Sequence, residues 1–454
     1  MEICKEIKKI VEYQNMSLSI TERRNESSLK QITESIQNDF NNGNYNFSKF
    51  TDIAVKQMGK VRHIKTYAPF SCEETLCIYL KRILDRKFSI KYPNRNEYIH
   101  SLFDMTNALR TMNDYSIFRF DFEDFFNSVS SEYVFEKYIL NSSLEREQAA
   151  LFQKFVKETK YTYAGLNTSN IICEIIAKHF DELLLRRFKK YGLIFYRRYI
   201  DDGILIFNTR IDNSLCTNIV NGVINEIFFD ESSKMVKKCK TRLNASKTQY
   251  ISGCDLAAKN MDDEFDFLGY KFVLKPGFTS RGLLKTDFRY GITQKKIDKY
   301  SKKITDMVKE YKCTKNIELL RHQIKAFTSR TVYRLPKYKS WIWKIKGFIS
   351  NYQELRDRMD FLTVDTKDFL ENAIENAFRT EGLPLPYFLL TKKEESIYSL
   401  YNNMRNYRTL LFVEEIGITK AGLEKLCKQV GVLATNKQYD GLVREYLIKV
   451  KVGH

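Results

Sequence analysis

The pattern of apolar and polar residues predicts a strand that ends in acidic side chains. Between positions 118 and 123, three phenylalanines alternate with three charged residues. Alternation with a period of two is typical of a strand, and it places Asp121 on the face opposite the aromatic side chains. A helix is predicted over 132–140, with Ser130 as its N-cap. Taken alone, Asp121 is either a surface carboxylate with ordinary partners or part of a site.

A second strand is predicted directly after two adjacent aspartates, Asp201 and Asp202. The dipeptide Asp202-Gly203 is a strong hairpin signal, so we predict the turn there. Residues 204–207 are apolar at every position, which indicates a strand buried on both faces. Carboxylates at the edge of such a strand are costly unless they are protonated, paired or bound to a cation. The pair is either a solvated hairpin tip or part of a metal site.

The remaining patterns predict a chain that mixes strands and helices. A turn-rich loop at 163–170 precedes a helix that Thr168 or Ser169 would cap, and Gly165 would permit close backbone approach to a ligand. A short strand at 61–67 carries Arg62 and Lys65, which either hold a phosphate or protect a solvated edge strand. Further strands and helices are predicted at 265–272 (closed by Pro276-Gly277), 73–88, 171–188, 212–229, 366–378 and 421–430. The fold class is therefore α+β.

The distribution of charge indicates a polyanionic partner. The chain has 75 Lys and Arg against 56 Asp and Glu, a formal net charge of +19. Residues 271–350 hold 21 of these cations and only 5 acidic residues, with aromatic residues interleaved. Cations release counterions from nucleic acid, and rings stack on unpaired bases. The alternative is a solvated helical face above an aromatic core, but so large an excess of one sign repels itself.

Composition excludes several other classes of protein. Nine cysteines without a Cys-x-x-Cys pair, and five scattered histidines, argue against a disulfide framework or a zinc site. No apolar run of 18 residues indicates a membrane helix, and the N-terminus has no apolar signal core, so we expect a cytoplasmic protein without a membrane partner. A length of 454 residues predicts two or more structural units.

Three carboxylates on neighbouring strand ends suit nucleotidyl transfer. That reaction depends mainly on positioning and on neutralising charge. Two divalent ions can activate the attacking hydroxyl and stabilise the leaving pyrophosphate. Mg²⁺, with Mn²⁺ as a substitute, prefers the hard oxygen ligands that Asp121, Asp201 and Asp202 offer. Lys247, on a turn after the helix 212–229, would contact a phosphate or be merely solvated.

Five short motifs, in order, resemble the palm motifs of reverse transcriptases. They are Asp121-x-x-x-Phe125-Phe126, Gly165-Leu166-Asn167-Thr168-Ser169, Tyr199-Ile200-Asp201-Asp202, Asn244-x-x-Lys247-Thr248 and Phe267-Leu268-Gly269-Tyr270. The resemblance covers roughly residues 55–275. It implies a right-hand polymerase: an N-terminal helical, peripheral segment (1–54), fingers and an antiparallel palm sheet flanked by helices (55–275), a basic helical thumb (276–350) and a C-terminal helical accessory domain (351–454).

The resemblance also implies roles for individual residues. Asp121, Asp201 and Asp202 would be the catalytic, metal-binding carboxylates, with the Phe122 carbonyl as a further metal ligand. Phe126 matches a bulky position that excludes a ribose 2′-hydroxyl, which favours dNTPs over NTPs. The remaining substrate contacts would be Arg62 and Lys65 on the triphosphate, Gly165 and Ser169 in the second motif, and Lys247 near the leaving pyrophosphate.

Departures from the family pattern indicate which subgroup of reverse transcriptases the chain resembles. The second motif lacks the proline common near its serine in intron and viral enzymes, and no Val-Thr-Gly or Asn-Ala-x-x-His sequence indicates a retron enzyme. The chain looks most like the bacterial abortive-infection and defence-associated reverse transcriptases. This implies antiphage defence, partners such as an RNA template or noncoding RNA and a DNA product, a homo-oligomeric state, and synthesis that in some members needs no conventional template or primer. An RNA polymerase with a similar palm and a nucleic-acid-binding scaffold on a retired palm are the alternatives.

Overall fold

The computed structural model describes residues 2–18, 22–57, 60–231, 238–337, 340–390, 397–435 and 437–452. The chain forms two compact units. Unit 1 comprises residues 1–98, 112–258 and 282–284, and unit 2 comprises residues 99–111, 259–281 and 285–454. The four segments expected from the sequence do not coincide with these units, because the chain enters and leaves unit 2 more than once. Within the described ranges, no helix is long and apolar enough to cross a membrane.

Helices make up most of both units. They are α1 (Glu2–Ser17), α2 (Glu26–Asn41), α3 (Cys72–Phe88), α4 (Arg95–Leu109), α5 (Phe125–Ser128), α6 (Ser131–Val134), α7 (Arg146–Thr159), α8 (Ser169–Phe188), α9 (Asn213–Ile224), α10 (Gly253–Lys259), α11 (Gln294–Thr314), α12 (Ile317–Phe327), α13 (Phe348–Asn351), α14 (Val364–Thr380), α15 (Leu400–Arg405), α16 (Lys420–Gln429) and α17 (Tyr439–Lys449). Short π-helical turns at Phe135–Ile139 and Asn225–Phe229 extend α6 and α9.

Within the described part of the chain, the strands form four small sheets, two in each unit. They are β1 (Thr51–Gln57), β2 (Lys60–Thr66), β3 (Ser116–Asp121), β4 (Leu193–Tyr199), β5 (Asp202–Phe207), β6 (Gln249–Ser252), β7 (Asp263–Phe267), β8 (Tyr270–Phe278), β9 (Leu284–Ile292), β10 (Arg330–Lys337), β11 (Ser340–Lys346) and β12 (Thr409–Phe412). The strand orders are β1-β2 and β4-β5-β3-β6 in unit 1, and β7-β8-β9 and β11-β10-β12 in unit 2.

The central element of unit 1 is the antiparallel sheet β4-β5-β3-β6, with helices packed on it. Phe118 and Phe120 of β3 are fully buried, and Phe120 contacts Phe180 of α8 with ring centroids 6.0 Å apart. Residues 204–207 are buried at every position, as the apolar run predicts. The prediction of an α+β fold with an antiparallel sheet flanked by helices is therefore confirmed.

The predicted position of the hairpin turn is wrong by two residues. Tyr199 pairs with Asp202, so the turn consists of Ile200 and Asp201, and Asp202-Gly203 begins β5. Ile200 adopts a φ of 60°, which is unusual for a β-branched residue. Gly203 is required for packing and not for the turn, because a Cβ there would lie 2.3 Å from the Phe120 ring. In unit 2, Pro276-Gly277 likewise lies inside β8 rather than closing a hairpin.

The N-terminal segment is not peripheral. Four apolar residues of α1 (Ile3, Ile7, Ile10 and Val11) recur at helical spacing, are at most 3% exposed and belong to the main core of unit 1. Burial of this stripe makes α1 an integral part of the unit. The basic region 276–350 is also not all helical, because it contains β9, β10 and β11, and the C-terminal region contains β12.

Capping predictions had mixed outcomes. Ser130 is confirmed as an N-cap, since its hydroxyl accepts from the Tyr133 backbone N–H group. Thr419 caps α16 in the same way through the Gly422 backbone N–H group. Helix α8 begins as predicted, but neither of its predicted caps acts through its side chain. Thr168 occupies the N-cap position without a side-chain hydrogen bond, and the Ser169 hydroxyl donates to the Tyr163 carbonyl at 2.6 Å.

Candidate active site

The central sheet of unit 1 brings the three predicted aspartates to one end. Asp121 is the last residue of β3 and lies directly opposite Asp202, the first residue of β5. Asp201 occupies the turn before β5, and its carbonyl accepts from the Phe122 backbone N–H at 2.9 Å. Side chains directly opposite on antiparallel strands share a face. The sheet register thus gathers carboxylates that are 80 positions apart in the sequence.

Two cations neutralise the site. The Lys247 ammonium lies 2.8 Å from both carboxylate oxygens of Asp121. The Arg119 guanidinium donates to both oxygens of Asp202, at 3.1 and 3.2 Å. Asp121 is only 5% exposed, whereas half of the Lys247 side chain is exposed to solvent. Lys247 can therefore leave the carboxylate without unfolding anything, because it belongs to a turn and carries its charge at the surface.

Burial and mutual repulsion raise the pKa values of the paired aspartates. Burial raises the pKa of Asp201, and the nearby charge of Asp121 raises it further. Burial raises the pKa of Asp202 to about 6, even though Arg119 acts in the opposite direction. Both carboxyls resist ionisation in the folded chain unless more positive charge is supplied.

The donor set of the site fits a divalent cation. All candidate ligands are hard oxygens, and the burial and mutual repulsion that raise the pKa of Asp201 and Asp202 are conditions that a bound cation relieves. Among the described residues, no group of three Asp, Glu, His or Cys side chains is already arranged around a common centre. Lys247 and Arg119 hold two of the three carboxylates, so a cation would have to displace or share these contacts. The Phe122 ring is buried, and its carbonyl as a ligand stays a prediction.

Two of the predicted substrate contacts, Lys65 and Gly165, meet where β2 contacts the loop before α8, a place that we call the fingers junction. The Lys65 backbone N–H donates to the Ala164 carbonyl at 2.8 Å. Gly165 adopts a φ of 104°, and a Cβ there would lie 2.6 Å from the Lys65 carbonyl, so glycine is required. The Lys65 ammonium lies over the rings of Tyr163 and Phe50, 3.4 and 4.2 Å from their centroids.

The other predicted substrate contacts have different surroundings. Arg62 is exposed, and its charge opposes in part the burial that raises the pKa of Asp201. Ser169 is 2% exposed and its hydroxyl donates to the Tyr163 carbonyl, so it supports the loop, and its contact with a substrate stays a prediction. Phe126 is half-buried in α5, and its carbonyl accepts from the Thr162 hydroxyl.

Sequence reasoning missed the residue that fixes the turn, Arg198. Its side chain is 3% exposed and donates to the Ile200 carbonyl at 2.7 Å. The same guanidinium contacts Glu174 at 2.9 Å and Asp181 at 2.8 Å, both on α8. Glu174 and Asp181 are seven residues apart, so two helical turns place them on one face. That spacing, together with an arginine beside a buried strand, was the feature of the sequence that could have indicated a buried ion pair.

Comparison with known proteins shows what the part of the chain that contains this site is similar to. Residues 56–272, a little less than half of the chain, match the family described as "Reverse transcriptase (RNA-dependent DNA polymerase)". The match includes all three aspartates, Lys247 and β2, and it agrees with the predicted right-hand polymerase fold. No curated protein matches the chain.

Solved telomerase structures are similar to the chain at low identity. Apo telomerase from Candida tropicalis, truncated from its C-terminal domain, is 14% identical with a TM-score of 0.34, over 56% of this chain and 59% of that chain. Telomerase from Candida albicans, in complex with a fragment of telomeric RNA, is 10% identical with a TM-score of 0.39, over 88% of this chain and 60% of that chain. The chain thus spans about 60% of the length of either telomerase chain.

Mg²⁺ is expected to stabilise unit 1 more at about pH 8 than at about pH 5. Because its folded pKa is raised from 3.8 to about 6, the Asp202 carboxyl contributes stability below about pH 4 that is lost as the pH rises through 6. The loss is on the order of 3 kcal/mol for metal-free protein, and a cation bound to the ionised carboxylates would offset it. Thermal unfolding with Mg²⁺ or with EDTA at the two pH values measures the difference.

The matched control for this measurement is Glu123→Gln. Glu123 is exposed and pairs with Arg242, so its removal should leave the Mg²⁺ effect unchanged. Asp202→Asn should abolish its pH dependence. Equal stabilisation by Mg²⁺ at both pH values in the unaltered chain would contradict the assignment of the raised pKa to the metal site.

Proposed function

We propose that the chain is a divalent-metal-dependent DNA polymerase of reverse transcriptase type that acts in antiphage defence. The observation that carries this proposal is the convergence of Asp121, Asp201 and Asp202 at one end of the central sheet, inside the matched domain. Mg²⁺ is the proposed ion because every donor is a hard oxygen. The defence role rests on the resemblance to bacterial abortive-infection enzymes, and the cytoplasmic location expected from the sequence is part of the same proposal.

Each residue of the site has a separate proposed role in nucleotidyl transfer. Asp121 and Asp201 would hold the cation, with Asp202 and the Phe122 carbonyl as further ligands, and the cation would supply charge neutralisation at the attacking hydroxyl and the pyrophosphate. Lys247 would move from Asp121 to the leaving pyrophosphate, a short displacement for a half-exposed ammonium. Arg62, near Asp201, would contact the triphosphate, and Lys65 with Gly165 would keep the fingers junction rigid.

Substrate choice is proposed to depend on Phe126. A bulky side chain five residues after Asp121 would clash with a ribose 2′-hydroxyl and so favour dNTPs. The backbone of Phe126 is held by Thr162, and its ring contacts Phe125 with centroids 6.3 Å apart, so the side chain has limited freedom to move aside. An RNA or noncoding RNA template, a DNA product, untemplated synthesis and a tyrosine primer are the finer proposals that the resemblance adds.

The test is incorporation of labelled nucleotides by the purified chain. With Mg²⁺ we expect DNA from dNTPs and little product from NTPs, and we expect EDTA to stop the reaction. Reactions with and without added RNA distinguish templated from untemplated synthesis. Label that stays on the protein in denaturing gels would indicate protein priming. Product from NTPs alone would favour the RNA polymerase alternative, and no product from either would favour a retired palm.

Phe126→Ala is expected to admit NTPs. Removing the ring leaves room for a 2′-hydroxyl, so the ratio of dNTP to NTP use should fall by about tenfold or more, since specificity by steric exclusion is typically worth 1–3 kcal/mol. Phe88→Ala, at the end of α3, is a matched truncation of a half-buried phenylalanine outside the site. Unchanged nucleotide choice in Phe126→Ala would refute the steric role.

A further inference from the structure

An exposed aromatic ribbon lies in unit 2, apart from the residues of the reverse transcriptase match. Strands β10 and β11 form an antiparallel hairpin whose register pairs Val332 with Ile345 and Arg334 with Trp343. Along β11, Trp341, Trp343 and Ile345 alternate with less exposed residues and are 46%, 53% and 48% exposed. The chain has two tryptophans, and both lie on this one face.

The ribbon is anchored, so the exposure of its rings is not a consequence of loose packing. β10 also pairs in parallel with β12, whose Phe412 is buried in a core of unit 2. On the opposite face of the ribbon, Tyr333 packs against that core. Val332, near the start of β10 and on the same face as the tryptophans, is 7% exposed, so this end of the face is covered. One face of the ribbon therefore serves the fold, and the other presents large apolar side chains to solvent.

A cation is already stacked on the exposed face. The Arg334 guanidinium lies 4.2 Å from the centroid of the Trp341 ring and also forms a salt bridge with Glu415. Arginine over tryptophan is the most favourable cation–π pairing and fixes both side chains in place. The indole is thus held in a defined orientation before any partner arrives.

The charge of the residues in the ribbon indicates which class of ligand it binds. Between Arg330 and Lys346 the sequence has six Lys and Arg and no acidic residue. Solvent-exposed tryptophans on a well-packed sheet are unusual unless they bind something. Flat rings beside many cations match a ligand with flat apolar groups and a regular negative charge. Single-stranded nucleic acid has both, whereas a duplex hides the faces of its bases.

We propose that the β10–β11 ribbon binds single-stranded nucleic acid. Trp341 and Trp343 stack on unpaired bases, while Arg334, which shares their face of the ribbon, neutralises an adjacent phosphate. The binding requires no catalytic group, so it goes beyond the proposed polymerase activity and does not depend on it. The ribbon would hold a strand as template, product or bound RNA, in addition to whatever the active site holds.

Tryptophan fluorescence tests the proposal directly, because both fluorophores lie at the proposed site. The full-length Asp201→Asn chain in EDTA is titrated with oligo(dT) or oligo(U), so that no synthesis occurs. We expect quenching on single strands, weaker binding to a blunt duplex of equal length, and affinity that falls steeply with salt. Loss of the signal would not bear on catalysis, which is measured separately with dNTPs.

Substitutions identify the ribbon as the binding surface. By fluorescence anisotropy of a labelled oligonucleotide, Trp341→Ala and Trp343→Ala are each expected to weaken binding by about tenfold, the usual loss of one base–aromatic stack. Trp343→Phe should retain part of the affinity. Tyr387→Ala removes an aromatic side chain that is 84% exposed elsewhere in unit 2 and should change nothing. Thermal unfolding of each variant checks that the fold is intact.

Several outcomes would overturn the proposal. They are equal affinity of the tryptophan variants and the parent chain, equal affinity for duplex and single strand, and quenching that follows protein concentration without nucleic acid, which would indicate an interface between copies of the chain. Quenching by phosphatidylglycerol vesicles in place of oligonucleotides would indicate a membrane-surface role and would also refute it.

Discussion

Asp201→Asn is expected to lower the rate of DNA synthesis by on the order of 10³-fold, because metal ligation contributes several kcal/mol to the transition state and each 1.36 kcal/mol is a factor of ten. Asn keeps the shape of the side chain and removes its charge. Asp201 lies in the turn beside Asp121, and because burial and the charge of Asp121 raise its pKa, its ionised form is favoured only when a cation is present.

The loss of activity in this variant should not come from unfolding. Burial and repulsion disfavour the ionised Asp201 in the metal-free fold, so a neutral amide is expected to leave thermal stability unchanged or to raise it. Stabilisation by Mg²⁺ should disappear at the same time. A variant that unfolds at a much lower temperature, or one that retains wild-type synthesis, would contradict the assignment.

Asp124→Asn is the matched control for Asp201→Asn. Asp124 precedes α5, is exposed and has a φ of 46°, a conformation that asparagine tolerates well. Its carboxylate accepts from the Asn127 side chain, a contact that an amide oxygen can keep. The same chemical change three residues from Asp121 should leave synthesis within about twofold of the parent, since surface substitutions usually change little.

The carboxylates of the site were predictable because their signals are local. The alternation at 118–123 indicates which face of the strand carries Asp121. The apolar run 204–207 indicates a buried strand, and neither pattern depends on residues elsewhere in the chain. The position of the turn was not predictable, because Gly203 is required by the Phe120 ring on the neighbouring strand. A contact between strands that are 83 positions apart leaves no local trace in the sequence.

Other misassignments have different physical causes. The stripe of α1 predicts an amphipathic helix, but the sequence does not say whether that stripe faces a core or a partner. In contrast, the ribbon could have been found: Trp-Ile-Trp-Lys-Ile-Lys alternates at 341–346, a strand signal that the high density of cations obscured. The roles of Lys247 and Arg119 as counter-ions required the sheet register and the turn at 244–248, which only the folded chain defines.

Arg198→Met is expected to destabilise unit 1 by about 3–5 kcal/mol, the usual cost of removing one partner of a buried ion pair. Methionine fills much of the space, but Glu174 would remain buried without its partner, and Asp181 would lose two hydrogen bonds. Chemical denaturation measures the loss. Arg197→Met is the adjacent control; it removes cation–π contacts to Tyr98 and Phe195 and should cost about 1 kcal/mol or less.

A compensated variant separates the structural role of Arg198 from its effect on the site. Adding Glu174→Gln and Asp181→Asn to Arg198→Met removes the unpaired charges and should restore much of the stability.

The triple variant cannot restore the hydrogen bond to the Ile200 carbonyl, which holds a β-branched residue at a φ of 60°. Such a backbone conformation costs about 1–3 kcal/mol and persists only where its surroundings enforce it. The triple variant should therefore fold but require more Mn²⁺ for half-maximal binding, measured by calorimetry, because the turn no longer fixes Asp201. Recovery of both stability and Mn²⁺ affinity would show that Arg198 serves the fold alone.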